Sequence, residues 1–246
     1  MVTSLSLPLF PIPISVYNFG EDNHKLNIDL VTDIFKERDR DPNGAIQSNY
    51  GGWHSNSSLE ERYKSFEVLR KQIEDCSNDY CAKHGFETGL IVERLWANMN
   101  QSGDMNVSHN HGLSALTGVY YPVESIVGKD CKFSYSENNP IKPGIYDGKK
   151  GGSVYFQDPS YGLKNRLKPK TKNAFTSVHY YTYPVAGVLV IFPSYLVHAV
   201  LPFKEKQTKR LSISFIAVYG EDEKLIEYKH QLKGILHKLK DTQGER

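Results

Sequence analysis

The sequence predicts a mainly β (α+β) fold, a sandwich or barrel flanked by two N-terminal helices and a C-terminal helix. Three observations predict it. From Thr88 onward, short runs of β-branched and aromatic residues recur at fairly regular spacing between glycines, prolines and asparagines. Tyrosines are doubled at Tyr120–Tyr121 and Tyr180–Tyr181 in a chain with 16 Tyr and 11 Phe against 2 Trp, and paired β-formers favour sheet. Helical periodicity is confined to the first third and the last stretch of the chain.

Taken in order, residues 1–18 are apolar but carry Pro8, Pro11 and Pro13 and no basic start, so they do not read as a signal peptide. Residues 27–38 place Leu26, Ile28, Leu30, Val31, Ile34 and Phe35 on one helical stripe. Asn43-Gly44 and Gly51-Gly52 mark turns. Ser58-Leu-Glu-Glu61 matches a capping box and predicts a second helix over 58–83, packing through Tyr63, Phe66, Val68, Leu69, Ile73 and Tyr80. Strands are predicted over 89–98, 113–123, 132–136, 152–158, 175–183, 187–193 and 210–219. The polar stretch 136–151 reads as a long surface loop, the kind that often carries function. Residues 222–246 read as a charged amphipathic helix and frayed tail. One domain over 1–246 is expected: 1–87 as support, 88–220 as the β core and 221–246 as the C-terminal helix.

Composition excludes several functions. Lys plus Arg (30) against Asp plus Glu (28) gives a net charge of +2, which argues against nucleic acid held by bulk charge. With 39% hydrophobic and 24% charged residues, the chain is neither disordered nor fibrous. Cys76, Cys81 and Cys131 are odd in number and lack C-x-x-C spacing, so neither a disulfide framework nor a cysteine zinc site is expected and a reducing cytoplasm fits. The longest apolar stretch, 185–192, falls short of the roughly 20 residues that span a bilayer. A cytoplasmic protein without a membrane partner is expected.

The nine histidines differ in their neighbours. His24, His54, His84, His230 and His237 lie among charged or small polar residues and are expected at the solvated surface. His179, in an aromatic run, is expected as a hydrogen-bonded structural residue. His109-Asn110-His111 precedes the strand candidate at 113–123, and side chains at i and i+2 on extended chain share a face, so both imidazoles can meet one metal ion. His198 follows the apolar strand at 187–193, as a β-barrel ligand from a distant strand would. An H-x-H pair alone is also compatible with a polar loop. In Arg210-Leu-Ser-Ile-Ser-Phe215 the alternation is strict, with Arg210, Ser212 and Ser214 on one face and Leu211, Ile213 and Phe215 on the other. An arginine fork beside hydroxyls suits a bidentate grip on a carboxylate, the alternative being exposure to water.

These residues resemble the Fe(II)/2-oxoglutarate-dependent oxygenases, whose fold is the double-stranded β-helix (jelly-roll, cupin-like). The resemblance is carried by His109-x-His111, Gly118-Val-Tyr-Tyr121, Gly151-Gly-Ser-Val-Tyr-Phe156, Phe192-Pro-Ser-x-x-x-His198-x-Val-x-Pro202 and Arg210-x-Ser212. More narrowly, Trp96-x-Asn98, Asn106-x-x-His109-x-His111, Phe156-x-Asp158-Pro159 and Arg210-x-Ser-x-Ser-Phe215 are similar to a 2OG-Fe(II) oxygenase branch of phages and marine bacteria. The motifs span residues 96–215, roughly half the chain. In phage-encoded members the expected location is the host cytoplasm.

The resemblance implies Fe(II), 2-oxoglutarate as cosubstrate and O2. It implies His109 and His198 as iron ligands, with His111 where most members place an aspartate or glutamate. Arg210, Ser212 and Tyr121 would hold the distal carboxylate of 2-oxoglutarate. Asn98 and Asn106 would orient its other end or the ligands, and Trp96 is expected in the core. Odd-numbered parity would put Tyr121 on the face of His109 and His111 if no bulge intervenes. The departure at His111 leaves two options: a three-histidine centre, favoured by the i, i+2 geometry, or a carboxylate from Asp158 or Asp104 with His111 behind it. Imidazole also suits zinc, copper and nickel, so the metal's identity rests on the resemblance.

The implied activity couples decarboxylation of 2-oxoglutarate to succinate with hydroxylation of a substrate, a peptide or protein by the prolyl-hydroxylase likeness around Tyr120–Tyr121, or a small metabolite. The loop 136–151 and the basic segment 161–172, with Lys164, Arg166, Lys168, Lys170 and Lys172, are expected to set selectivity. A non-catalytic cupin-like metal- or ligand-binding module is the alternative, supported by His111 in place of a carboxylate. An H-N-H nuclease has only the tripeptide in its favour.

Overall fold

The computed structural model describes residues 10–144, 152–160, 168, 170–171, 173 and 176–220. The C-terminal helix expected over 222–246, His230 and His237, and most of the basic segment 161–172 lie outside these residues.

Helix α1 spans His24–Arg40. It buries Leu30, Val31 and Ile34 from the predicted stripe, while Ile28, 200° around the helix from Leu30, faces solvent. Helix α2 spans Lys64–His84 and buries Phe66, Leu69, Ile73 and Tyr80. The predicted capping box does not form. Ser58 is left-handed (φ 69°) and makes no side-chain cap, and Leu59–Glu61 is a separate 3₁₀ turn. The helix starts six residues later than expected, after an extended Tyr63, because Arg62 and Tyr63 are drawn to Glu37 on α1. Gly85 (φ 76°) ends α2, with Phe86 N–H donating to the Cys81 carbonyl at 2.8 Å in a Schellman closure.

Glu37 is a buried carboxylate. It accepts from Arg40 Nη2 (2.6 Å) and Nε (2.9 Å), Arg62 Nη2 (2.9 Å) and Tyr63 Oη (3.0 Å). These donors, Arg40 first, hold its pKa below the usual carboxylate value against the opposing effect of burial. Its stabilising contribution is therefore complete above the ordinary carboxylate range and is lost as pH falls through the depressed folded-state value. Glu37→Ala is expected to cost about 1–3 kcal/mol, discounted because both arginines are partly exposed. Chemical denaturation at neutral and acidic pH checks this: the difference from wild type should shrink as pH falls.

Fourteen strands are found among the described residues: β1 Ser15–Asn18, β2 Asn49–Tyr50, β3 Trp53–His54, β4 Leu90–Gln101, β5 Met105–His109, β6 Leu116–Tyr121, β7 Ser125–Val127, β8 Asp130–Lys132, β9 Ile141–Pro143, β10 Val154–Gln157, β11 His179–Thr182, β12 Val188–Pro193, β13 His198–Val200 and β14 Thr208–Tyr219. One sheet runs β1-β12-β6-β14-β4-β3, with β7 on β14 and β8 on β7. The other runs β2-β5-β13-β10-β11-β9, and all pairings are antiparallel. This is the mainly β jelly-roll that the sequence predicts. The strand expected at 132–136 is displaced to β8, and Phe133 and Tyr135 instead pack edge-on against His24 at the start of α1.

Period-2 alternation assigns the two faces of the larger sheet. Leu189 and Ile191 of β12, Tyr120 of β6, Leu95, Ala97 and Met99 of β4 and Leu211, Ile213 and Phe215 of β14 pack with α1 and α2 in one apolar core. The opposite face contributes Val188, Val190, Phe192, Val119 and Tyr121 to a second core with Val154, Phe156 and Val200 of the smaller sheet. β12 is buried on both faces, which is why its sequence is an unbroken apolar run. Beside this second core the inward residues of β4 and β14 turn polar, and a cavity opens.

Candidate active site

The cavity has a volume of about 390 Å³. It is walled by inward residues of β4 and β14 on one side and of β5 and β13 on the other. His109 ends β5 and lies directly opposite His198 at the start of β13. Between this pair and the next, Asn106 opposite Val200, β5 carries one residue more than β13. Such a bulge re-aims side chains at the rim of a sheet. His111 lies two residues past His109, its N–H donating to the Ser194 carbonyl at 3.0 Å. The Ser194 hydroxyl in turn donates to the Ser114 carbonyl, so the turn after β12 and the turn carrying His111 are tied together.

One nitrogen from each of His109, His111 and His198 lies within 4.8 Å of the others. The tautomers favour a metal. His109 Nδ1 is 2.7 Å from the Val107 carbonyl and His198 Nδ1 is 2.8 Å from the Leu196 carbonyl. A carbonyl only accepts, so both Nδ1 atoms carry hydrogen and both Nε2 lone pairs are free. Burial, then the neighbouring His109, pushes the His198 pKa down to about 3. Burial, then His109 and Arg94, pushes that of His111 down to about 4. Neutral imidazoles are the ligand form.

Among the described residues no carboxylate joins this group, and none lines the cavity. Asp158 caps a turn, accepting from the Ser160 N–H and hydroxyl at 2.7 and 2.6 Å. Asp104 accepts from the Gln101 N–H at 2.7 Å in the β4–β5 turn. Neither meets the histidines.

Arg210 projects from β14 into the same cavity and is only 1% exposed. Its Nη1 donates to Ser212 Oγ at 2.8 Å and, at 3.4 Å, to Asn100 Oδ1. Its Nη2 donates at 3.4 Å to Tyr121 Oη, while Nε has no partner. Every acceptor is neutral. Gly152 makes room for it, since a Cβ there would lie 2.6 Å from Arg210 Cδ. A buried guanidinium with neutral partners and an unpartnered donor has the chemistry to accept an anion.

Ser212 and Asn98 line the cavity, Asn98 donating to Ser214 Oγ at 3.4 Å. Asn106 lines it too and donates to Ser48 Oγ at 3.2 Å. Tyr121 meets Arg210 but is fully buried behind it, outside the cavity wall. The parity reasoning that paired Tyr121 with His109 fails, because β5 and β6 belong to different sheets; Tyr121 reaches the site by facing inward from the larger sheet.

One further expectation is corrected. His54 is not at the surface but 5% exposed on β3, lining the cavity with its ring stacked on Trp96 at 5.7 Å. Burial, more than any charge, lowers its pKa. Trp96 is buried, as expected, and also forms a wall of the cavity, its ring 5.8 Å from that of His111. The alternation of β4, with Leu95 and Ala97 outward, was the available signal for Trp96; nothing local marked His54, whose strand is two residues long. His179 is half-buried against Tyr155, away from the cavity.

Residues 94–215 match the model of a family described as "Putative 2OG-Fe(II) oxygenase". No curated protein matches the chain. Among solved structures, a Pseudomonas putida prolyl-4-hydroxylase is similar with a TM-score of 0.52 and 16% identity, over 85% of this chain and 94% of that one. The epimerase SnoN of nogalamycin biosynthesis, in complex with Fe3+, alpha ketoglutarate and nogalamycin RO, is similar at 0.54 and 12%, over 84% and 79%. A Trichoplax adhaerens prolyl hydroxylase in complex with a hypoxia inducible factor peptide fragment is similar at 0.53 and 13%, over 86% of each chain. At these identities the likeness is one of fold.

Proposed function

Residues 94–215 belong to the 2OG-Fe(II) oxygenase family, and on that premise we propose that the protein is a hydroxylase using Fe(II), 2-oxoglutarate and O2. The observation that carries the reading is the meeting, in one cavity, of three imidazoles offering free nitrogens with a buried arginine that has no anion of its own. A module that bound metal alone would have no use for Arg210.

His109, His111 and His198 would hold the iron, His111 standing where a carboxylate is usual. Three neutral ligands leave positions for a bidentate cosubstrate and oxygen. When bound, Fe(II) supplies activation of O2, with the balance 2-oxoglutarate + O2 + R–H giving succinate + CO2 + R–OH. Arg210 anchors the distal carboxylate of 2-oxoglutarate through its fork, with Ser212 beside it as a further donor. Tyr121 braces the guanidinium from behind. Asn98, between Ser212 and Trp96, orients the opposite end of the cosubstrate. Val119, Val154, Phe192 and Val200 give the cavity apolar walls that exclude water.

The hydroxylated substrate is a peptide or a small metabolite. Tyr120, part of the prolyl-hydroxylase-like pair, donates to Asn27 Oδ1 at 2.6 Å on the helix side and does not face the substrate. Succinate formation in the presence of Fe(II), 2-oxoglutarate and air tests the proposal. Turnover should be abolished in His198→Ala and Arg210→Ala. Equal turnover in the variants and wild type would contradict the assignment, and no turnover in any of them over a broad substrate panel would favour the non-catalytic module.

A further inference from the structure

The inward row of β4 continues past the cosubstrate end of the cavity. Arg94, Trp96, Asn98 and Asn100 alternate along it, and their partners on β14 are Ile216, Ser214, Ser212 and Arg210. The two arginines that line the cavity therefore stand at opposite ends of one row, six residues and roughly 20 Å of strand apart. Arg210 is buried, whereas Arg94 is exposed at the mouth. The Arg94 guanidinium lies 5.8 Å from the Trp96 ring. Among the described residues no carboxylate pairs with Arg94.

The wall beside Arg94 is aromatic. The Trp96 and His54 rings are within 13° of parallel, and Trp96 leans over His111. His54 Nδ1 donates to the Ser55 carbonyl at 2.7 Å, leaving Nε2 as an acceptor. The charges are unbalanced. In the oxygenase reading, the Fe(II) dication and the 2-oxoglutarate dianion cancel and the three imidazoles add nothing. Both guanidinium charges then remain in a cavity lined, among the described residues, by no aspartate or glutamate.

We infer that the primary substrate carries a carboxylate or phosphate group bound by Arg94 at the cavity mouth, with a flat portion of the substrate lying on Trp96 and a donor facing His54. The inference rests on the oxygenase reading for the placement of the cosubstrate at Arg210. The charged group belongs either to a free small molecule or to an acidic side chain of a peptide, and the recognition chemistry is the same for both.

The test uses the full-length protein loaded anaerobically with Fe(II) and 2-oxoglutarate. Binding is followed by perturbation of the metal-to-ligand charge-transfer band and by tryptophan fluorescence. The small-molecule probes are 4-hydroxybenzoate and its neutral twin 4-hydroxybenzamide. The peptide probes are a blocked tripeptide with a central aspartate and its asparagine twin. In wild type, at least one anionic probe should bind about tenfold or more tightly than its twin, as expected for a charge-assisted fork partly shielded from water. Which pair responds identifies the source of the charge.

Arg94→Gln should erase the preference while leaving the band itself in place, and Arg94→Lys should restore part of it. Equal binding of the twins, no binding of either anion at millimolar concentration, or a preference that survives in Arg94→Gln would each overturn the inference. Failure of the charge-transfer band to form in wild type would instead defeat the oxygenase reading. The two failures are thus distinguishable.

Discussion

Arg210→Met is expected to give a folded protein at least as stable as wild type that has lost 2-oxoglutarate binding by about a hundredfold or more. The two halves of this expectation have one cause. Arg210 is almost fully buried, its Nε lacks a partner, and its other donors meet only Ser212, Asn100 and Tyr121. Replacing a buried charge by an apolar side chain of similar length is often neutral or stabilising by about 1–4 kcal/mol. On the proposed function, the cation would be retained at a cost to the empty protein and would gain its counter-ion when a carboxylate enters, the usual trade of stability for function. Urea denaturation of the metal-free protein measures the first half and calorimetric titration with 2-oxoglutarate the second. A variant that is strongly destabilised yet binds the cosubstrate normally would make Arg210 a structural residue.

The second large effect is expected at His198. His198→Ala should lower affinity for Fe(II), or for Co(II) as an air-stable substitute, by about a hundredfold or more, since losing even a residue that only orients a metal ligand costs about 10–100-fold. The readout is thermal: a metal at 100 times its Kd stabilises the native state by about 2.7 kcal/mol. Metal should therefore raise the Tm of wild type markedly and, at the same concentration, stabilise the variant by no more than about 0.4 kcal/mol. His111→Ala should behave in the same way if the third imidazole is a ligand. His111→Asp should restore binding, because a carboxylate at that position recreates the usual donor set. Metal affinity undiminished in His111→Ala would remove that residue from the centre.

The centre of the larger sheet was legible from sequence because β4, β6, β12 and β14 are long and, β12 apart, obey a simple alternation. Leu211, Ile213 and Phe215 against Arg210, Ser212 and Ser214 read out both the helix-packed face and the cavity face, as the helix-side core and the cavity lining show. The smaller sheet was less legible. Its strands are two to five residues long, and β5, Met105–His109, is mostly polar because it borders the cavity. The cluster of three histidines was visible as a spacing, but the reason its rings point inward, a bulge and two Nδ1–H bonds to the chain's own carbonyls, is tertiary. His54 was missed because a histidine among small polar residues looks like surface until β3 is paired with β4. Trp96 was legible as a buried residue, and the alternation of β4 together with its register opposite Ser214 shows that it also faces a polar cavity. The capping box failed for an electrostatic reason, the pull of Glu37 on Arg62 and Tyr63.

The most direct test of the account is an anaerobic titration of the Fe(II)-loaded protein with 2-oxoglutarate, observed in the visible range. The expected result is a metal-to-ligand charge-transfer band that saturates at one cosubstrate per iron in wild type and is absent from Arg210→Met at the same concentrations. Iron shown to be bound, with no band on adding 2-oxoglutarate to wild type, would contradict it.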